Sequence, residues 1–151
     1  MQSELYKKIL IATDGSEQNK DAISYAIELA KLSGAKLYAL YVVDTAAFAS
    51  IPMDAGWEMM YELLQDEGNN ATKTIEEVAK EAGVEVEKTV LEGHPSHEII
   101  EFAEKNDASI IIMGTLGKSG LDRFLLGSVA EKVTRNSTVP VLVVRGTVKE
   151  E

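Results

Sequence analysis

The residues with the clearest chemical potential lie in one glycine-punctuated stretch, Gly114-Thr115-Leu116-Gly117-Lys118-Ser119-Gly120, which continues through Leu121–Leu126 to Gly127-Ser128-Val129. It follows an apolar run and leads into a segment of helical periodicity. Glycine lacks a Cβ, so backbone N–H groups can approach phosphate oxygens closely, and a helix starting near Ser128 adds a fixed positive field for an anion. That combination suits a polyphosphate. Ser128 could serve as the helix cap or as a hydroxyl donor to a phosphate, and Lys118 and Arg123 are the cations of the loop. The competing reading is a loop whose glycines only turn the chain. Two stock phosphate motifs fail. Gly117-Lys118-Ser119 ends like a P-loop, but Ile112 stands where that motif needs its first glycine. No two glycines of the stretch are separated by a single residue, as a dinucleotide fingerprint requires.

Asp14 is the second candidate. It follows the apolar run Lys7–Thr13 directly, where it either starts an Asp14-Gly15-Ser16 turn and caps the next helix or offers its carboxylate to a ligand. The two roles are compatible. His94 and His97 have a spacing that could present two nitrogens to a metal, but only Glu98 is near, so no metal site is expected. Met53, Met59, Met60 and Trp57 could form an adaptable binding surface, although their helical spacing favours the core. Ser119 and Ser128 have no neighbouring histidine and Asp14 is a single carboxylate, so no catalytic residue is assigned.

The elements that must position these groups follow from periodicity. Lys7–Thr13 reads as a strand, and Ala22, Ile23, Ala26, Ile27 and Ala30 mark a helix from Glu17 that Gly34 terminates. Lys36–Val43 is a second strand, Asp44–Gly56 a loop, and Trp57–Ala82 one long helix that Gly68-Asn69-Asn70 weakens in its middle. Val84–Leu91 alternates apolar and polar residues, as an edge strand with one wet face does. Pro95 opens a third helix ending near Asn106, and Ala108–Met113 is apolar throughout, as a strand covered on both faces should be. A fourth helix from Gly127-Ser128 and a last strand, Val139–Val144, complete the chain. Strands alternating with helices predict a doubly wound α/β fold: a five-stranded parallel sheet of order 3-2-1-4-5 with helices on both faces. Ligands of such sheets bind beyond the strand ends where the order reverses, here after strands one and four. Val139–Val144 is apolar on both faces yet falls at the sheet edge, which predicts a homodimer paired through it, with Pro140 and Arg145 as its brackets.

Composition bounds the function. With 151 residues the chain is expected to form a single domain over 1–151. Lys+Arg 15 against Asp+Glu 25 gives a net charge of -10, which disfavours nucleic acid and anionic membrane surfaces. The absence of cysteine excludes disulfides, iron–sulfur clusters and a thiol nucleophile. The longest apolar runs fall far short of the roughly 18 residues of a membrane span, and Met1–Lys8 is too polar for a signal core. A cytoplasmic protein is expected.

Gly114-x2-Gly117-x9-Gly127-Ser128 resembles the G-2x-G-9x-G-(S/T) signature of the ATP-binding branch of the universal stress protein family. Ile9–Glu17, Gly93-His94-Pro95 and Val139–Arg145 are similar to conserved blocks of that family, so the resemblance runs from about Lys7 to Arg145. It implies a Rossmann-like, usually homodimeric protein that binds ATP at the ends of strands one and four. The resemblance places the phosphates on Gly117, Gly127, Ser128 and Val129. It gives Asp14 the ribose or a metal-linked water and brings the backbone of Val42 to adenine. Ala12 and Thr13 line one wall, with Met113 and Gly114 opposite. Mg²⁺ or Mn²⁺ is expected to be held through the phosphates rather than by the protein. The resulting expectation is a nucleotide-dependent switch or sensor in stress response, acting through an unknown protein partner. The alternatives are a slow ATP-hydrolysing enzyme and a dimeric scaffold that binds AMP, cyclic AMP or no nucleotide.

Overall fold

The computed structural model describes residues 5–16, 19–45, 55–115 and 127–146. Five strands and four helices alternate in the order β1 (Lys8–Thr13), α1 (Lys20–Ser33), β2 (Lys36–Asp44), α2 (Ala55–Glu81), β3 (Val86–Gly93), α3 (Pro95–Lys105), β4 (Ile110–Gly114), α4 (Ser128–Asn136) and β5 (Val141–Val144). The sheet order is β3-β2-β1-β4-β5, and every neighbouring pair is parallel. This is the doubly wound order expected from the sequence.

Alternate residues of the strands feed two cores. Ile9, Ile11, Leu37, Ala39 and Ile112 pack beneath α1 and α2 with Ala22, Ala26, Ile75 and Ala79. Leu10, Ala12, Leu40, Ile111 and Met113 pack on the other face with Ile99, Ala103, Ala130 and Val133 of α3 and α4. Burial on both faces explains why β1 and β4 read as unbroken apolar runs. β3 lies at the edge, as expected, with Glu87 exposed on one face and Lys88 exposed on the other. Gly34 ends α1 in the left-handed conformation, φ 74°, its N–H donating to the Ala30 carbonyl at 2.9 Å. Pro95 takes the first turn of α3.

The single long helix is borne out: α2 runs unbroken for 27 residues, with Gly68 facing inward against the Tyr41 ring. Two expectations are corrected. Met59 and Met60 are 67% and 43% exposed, so they are not core, whereas Trp57 turns inward, stacked on Tyr61 at 5.6 Å with the rings 7° apart; Met53 lies outside the described residues. The last strand begins at Val141 rather than Val139, since the stretch before it contributes only the Pro140 carbonyl, which accepts from the Ile111 N–H at 2.9 Å. Among the described residues no helix is long and apolar enough to cross a membrane.

Candidate functional site at the ends of β1 and β4

β1 and β4 lie side by side, Ile11 opposite Ile112, and the chain leaves them in opposite directions, towards α1 and towards α4. The crevice between the departing segments is the switch point of the sheet. Ala12 and Thr13 are buried at the end of β1, and Met113 is buried beside Gly114 at the end of β4. Ala12, Met113, Val42 and Val129 all belong to the core on the α3–α4 face. Nine of the ten residues expected at the site therefore fall within the described structure. Gly117 lies outside it, as do Lys118 and Arg123.

The turn after β1 is built by its own side chains. The Asp14 Oδ1 accepts the Ser16 N–H at 2.9 Å, and the Thr13 Oγ1 accepts the Gly15 N–H at 3.1 Å. Gly15 takes φ 79°, a conformation that glycine adopts without strain. Asp14 thus starts the turn as anticipated, but it does not cap α1, which begins at Lys20 with Asn19 as its N-cap. The Oδ2 of Asp14 receives no hydrogen bond from the described residues.

The segment after β4 returns to the sheet at Gly127. Its N–H donates to the Thr115 carbonyl at 2.8 Å, and the Thr115 N–H donates to the Val144 carbonyl at 3.0 Å. A Cβ on Gly127 would stand 3.0 Å from the Thr115 oxygen, so glycine is needed here for close approach. Its backbone, φ -63° and ψ 154°, is open to any residue. Gly127 is also the N-cap of α4, and among the described residues no side chain caps that helix. The expected capping role of Ser128 is therefore corrected: Ser128 is the first helical residue and is exposed. Uncapped N–H groups and the helix field converge at a strand end, the arrangement that receives phosphate elsewhere.

The opposite side of the Asp14 turn has different chemistry. An open cleft of about 480 Å³ lies between Gly15 and Leu63, Asp66, Glu67, Asn70, Ala71 and Thr74 of α2. Its carboxylates disfavour phosphate, in contrast to the start of α4. The Tyr41 hydroxyl donates to Glu67 Oε2 at 2.9 Å beneath this turn. Burial pushes the Tyr41 phenol well above the usual tyrosine range, with the Glu67 hydrogen bond and the charges of Glu67 and Asp14 adding to it.

Two features escaped sequence reasoning. Asn19, read only as part of a helix start, reaches Asp14. The Tyr41–Glu67 pair joins positions 26 apart, and its one trace in the sequence is the glycine within the long helix. Among the described residues no group of three His, Asp or Glu side chains could hold a metal. Buried Ser16 Oγ, Asn19 Oδ1 and Thr115 Oγ1 have no hydrogen-bond partner among the described residues, and all three lie on the segments that leave β1 and β4. Orphaned polar atoms beside an uncapped helix fit a polar, anionic ligand.

Comparison with known proteins agrees with this geometry. The family model described as the universal stress protein family matches residues 5–145. Universal stress protein MJ0531 of Methanocaldococcus jannaschii is 51% identical over 97% of this chain and 86% of its own length. The solved structure of MJ0577, from the same organism, superposes with a TM-score of 0.84 at 33% identity, covering 96% of this chain and 99% of that one. Two further solved relatives are each 26% identical. One is a universal stress protein in complex with cAMP, with a TM-score of 0.69 and coverage of 94% of this chain and 98% of its own. The other is the Archaeoglobus fulgidus universal stress protein in complex with dAMP, with a TM-score of 0.65 and coverage of 93% and 98%. The parallel 3-2-1-4-5 sheet, the glycine-bounded segment between β4 and α4 and a match over nearly the whole chain place this protein in the universal stress protein family.

Proposed function

We propose that this protein binds an adenine nucleotide, with ATP as its principal ligand, and acts as a dimeric nucleotide-dependent switch or sensor in stress response. The observation that carries the reading is the uncapped N-terminus of α4 at Gly127, beside Thr115 and across the strand ends from Asp14. The phosphates lie on Gly117, Gly127, Ser128 and Val129, Asp14 holds the ribose or a water of a phosphate-bound cation, and the base lies towards Val42, Ala12 and Met113. Mg²⁺ or Mn²⁺ enters on the phosphates, because hard cations accompany polyphosphates and keep several waters. The relatives solved with cAMP and dAMP support an adenine ligand and favour a second reading, in which a monophosphate is the cellular ligand.

β5 is an edge strand whose Val141, Leu142 and Val143 are only partly covered, which supports dimerisation through Val139–Val144. Sedimentation at micromolar concentration is expected to give twice the 16.4 kDa chain mass; a monomer removes the dimer from the reading. Among the described residues the site offers no nucleophile paired with a base, which supports a switch over an enzyme. Turnover above about 1 per second under saturating ATP would reverse that preference.

The test is mass analysis of small molecules released from the freshly purified protein, then calorimetric titration with ATP, ADP, AMP and cyclic AMP, with and without Mg²⁺. Co-purified ATP, or micromolar binding that needs the triphosphate, supports the ATP switch. Equal or tighter binding of AMP or cyclic AMP favours the monophosphate reading. No adenine ligand at millimolar concentration refutes both.

A further inference from the structure

Asn19 stands at the N-cap of α1 and does not cap it. Asparagine is favoured there because its side-chain oxygen accepts an N–H from the first turn. Here no such bond forms, and the backbone is already helical at φ -81°, ψ -8°. The side chain is instead withdrawn from solvent, the residue being 4% exposed. Its Nδ2 donates to Asp14 Oδ1 at 3.4 Å, while its backbone N–H donates to the Ser16 carbonyl at 3.1 Å. The same Nδ2 stands over Gly114, where an added Cβ would meet it at 3.4 Å and the Asn19 Cα at 3.9 Å. One side chain therefore touches both the carboxylate after β1 and the last residue of β4.

The other end of that amide is unsatisfied. Among the described residues, buried Asn19 Oδ1 has no donor and the buried hydroxyls of Ser16 and Thr115 have no partner. A buried polar atom left unpaired costs about 1–3 kcal/mol, so a folded protein keeps such groups where something else pairs them. A carbonyl oxygen accepts and cannot donate, so its partner carries an O–H or N–H group and is not a phosphate oxygen.

We propose that Asn19 is a positioning residue of the nucleotide site, bracing the Asp14 carboxylate against the end of β4 and offering Oδ1, with the Ser16 and Thr115 hydroxyls, to an O–H donor of the bound ligand. The donor is a ribose hydroxyl or a water carried with the nucleotide. The proposal rests on the nucleotide reading of the site, but the brace itself exists in the ligand-free protein and can be measured there.

Asn19→Ser and Asn19→Asp provide the test, because Ser and Asp cap helices as well as Asn does. A residue that served only α1 would tolerate both. Serine is too short to reach Asp14, and aspartate sets a second carboxylate against the first. In ligand-free protein the Ser16 amide, which Asp14 Oδ1 holds at 2.9 Å, should exchange with solvent about tenfold faster in both variants. ATP affinity by calorimetry should fall about tenfold in both, with the fold retained by circular dichroism. Unchanged Ser16 exchange, or unchanged ATP affinity in both variants, overturns the proposal. If the wild-type protein binds no nucleotide, the functional reading fails separately, and the Ser16 exchange still decides the brace. Titration with 2′,3′-dideoxy-ATP separates the two donors. A penalty seen in the wild type and absent from Asn19→Ser assigns a ribose hydroxyl, and equal behaviour of the two assigns a water.

Discussion

Gly68→Ala offers a reversal of sign. In a helix interior this substitution ordinarily stabilises by about 1 kcal/mol, because alanine loses less backbone entropy. At position 68 the new Cβ would lie 2.7 Å from Tyr41 Cδ1, 3.1 Å from Cγ and 3.2 Å from Cε1. Contacts under 3.0 Å require movement, and the obstacle is a ring held by β2 and 4% exposed, not the end of a flexible chain. Overpacking of this kind costs about 1–3 kcal/mol. Displacing the ring also strains the 2.9 Å hydrogen bond to Glu67, worth about 1.5–3 kcal/mol with a charged acceptor. Set against the propensity gain, the expected net loss is about 2 kcal/mol, which lowers the unfolding temperature of a chain this size by roughly 4–8 °C. Urea unfolding with an unchanged slope measures it directly. In a Tyr41→Ala background the clash is gone and Gly68→Ala should become neutral or stabilising, so the double-mutant cycle isolates the contact. A Gly68→Ala variant about 1 kcal/mol more stable than the wild type would refute the account of the glycine.

Gly127→Val should lower triphosphate affinity at least tenfold, because its side chain enters the space 3.0 Å from the Thr115 carbonyl; calorimetry gives the affinity and circular dichroism the retained fold. Asp14→Ala removes the acceptor of the Ser16 N–H and should weaken ATP binding while costing about 1 kcal/mol of stability, read by the same titration and by urea unfolding. Tyr41 adds an alkaline limit. Its folded pKa is raised above the unfolded value of 10.0, so the neutral phenol contributes stability in full below pH 10 that is lost as pH rises further. Urea midpoints should decline from about pH 10 upward in the wild type, and Tyr41→Phe should flatten that decline while lowering stability at neutral pH. An equal decline in both proteins would remove Tyr41 as its source.

The sheet was legible because its determinants are local. The apolar runs of β1 and β4 reflect burial on both faces, and the wet face of β3 put it at an edge, which named the switch pair. Boundaries drifted where tertiary contacts set them: Val84 is drawn into the end of α2, its N–H donating to the Ala79 carbonyl at 2.8 Å, so β3 starts at Val86. Met59 and Met60 were misplaced because the first turns of α2 are apolar on more than one side and only one side meets the sheet. Trp57, Tyr61 and Leu64 take the sheet-facing side of its first turns, packed on Tyr41 and Val43, which leaves Met59 and Met60 on the side turned to solvent. Helical spacing records which side of a helix is apolar but not whether anything lies beneath it. Gly68 and Asn19 were opaque for a related reason: each is explained by a residue distant in sequence, Tyr41 in one case and Gly114 in the other.

The charge balance makes one further demand on the site. A chain of net charge -10 repels a polyanion at long range, so the proposed nucleotide site requires a short-range source of attraction. The uncapped start of α4 is such a source, since its field acts within the first turn and its N–H groups donate directly. Repulsion and attraction respond differently to salt. The repulsion is spread over the surface and is screened once the Debye length falls from about 30 Å at 0.01 M to 10 Å at 0.1 M. Hydrogen bonds made at contact with a helix end are screened far less. ATP affinity should therefore rise or hold constant between 10 mM and 150 mM NaCl, the opposite of sites whose affinity comes from lysine and arginine clusters. Calorimetric titration at four salt concentrations, at constant free Mg²⁺, measures the slope. A steep fall in affinity with salt would move the source of attraction to the loop cations Lys118 and Arg123 and away from the helix. The matching fall on Lys118→Ala or Arg123→Ala would then identify which of them supplies it.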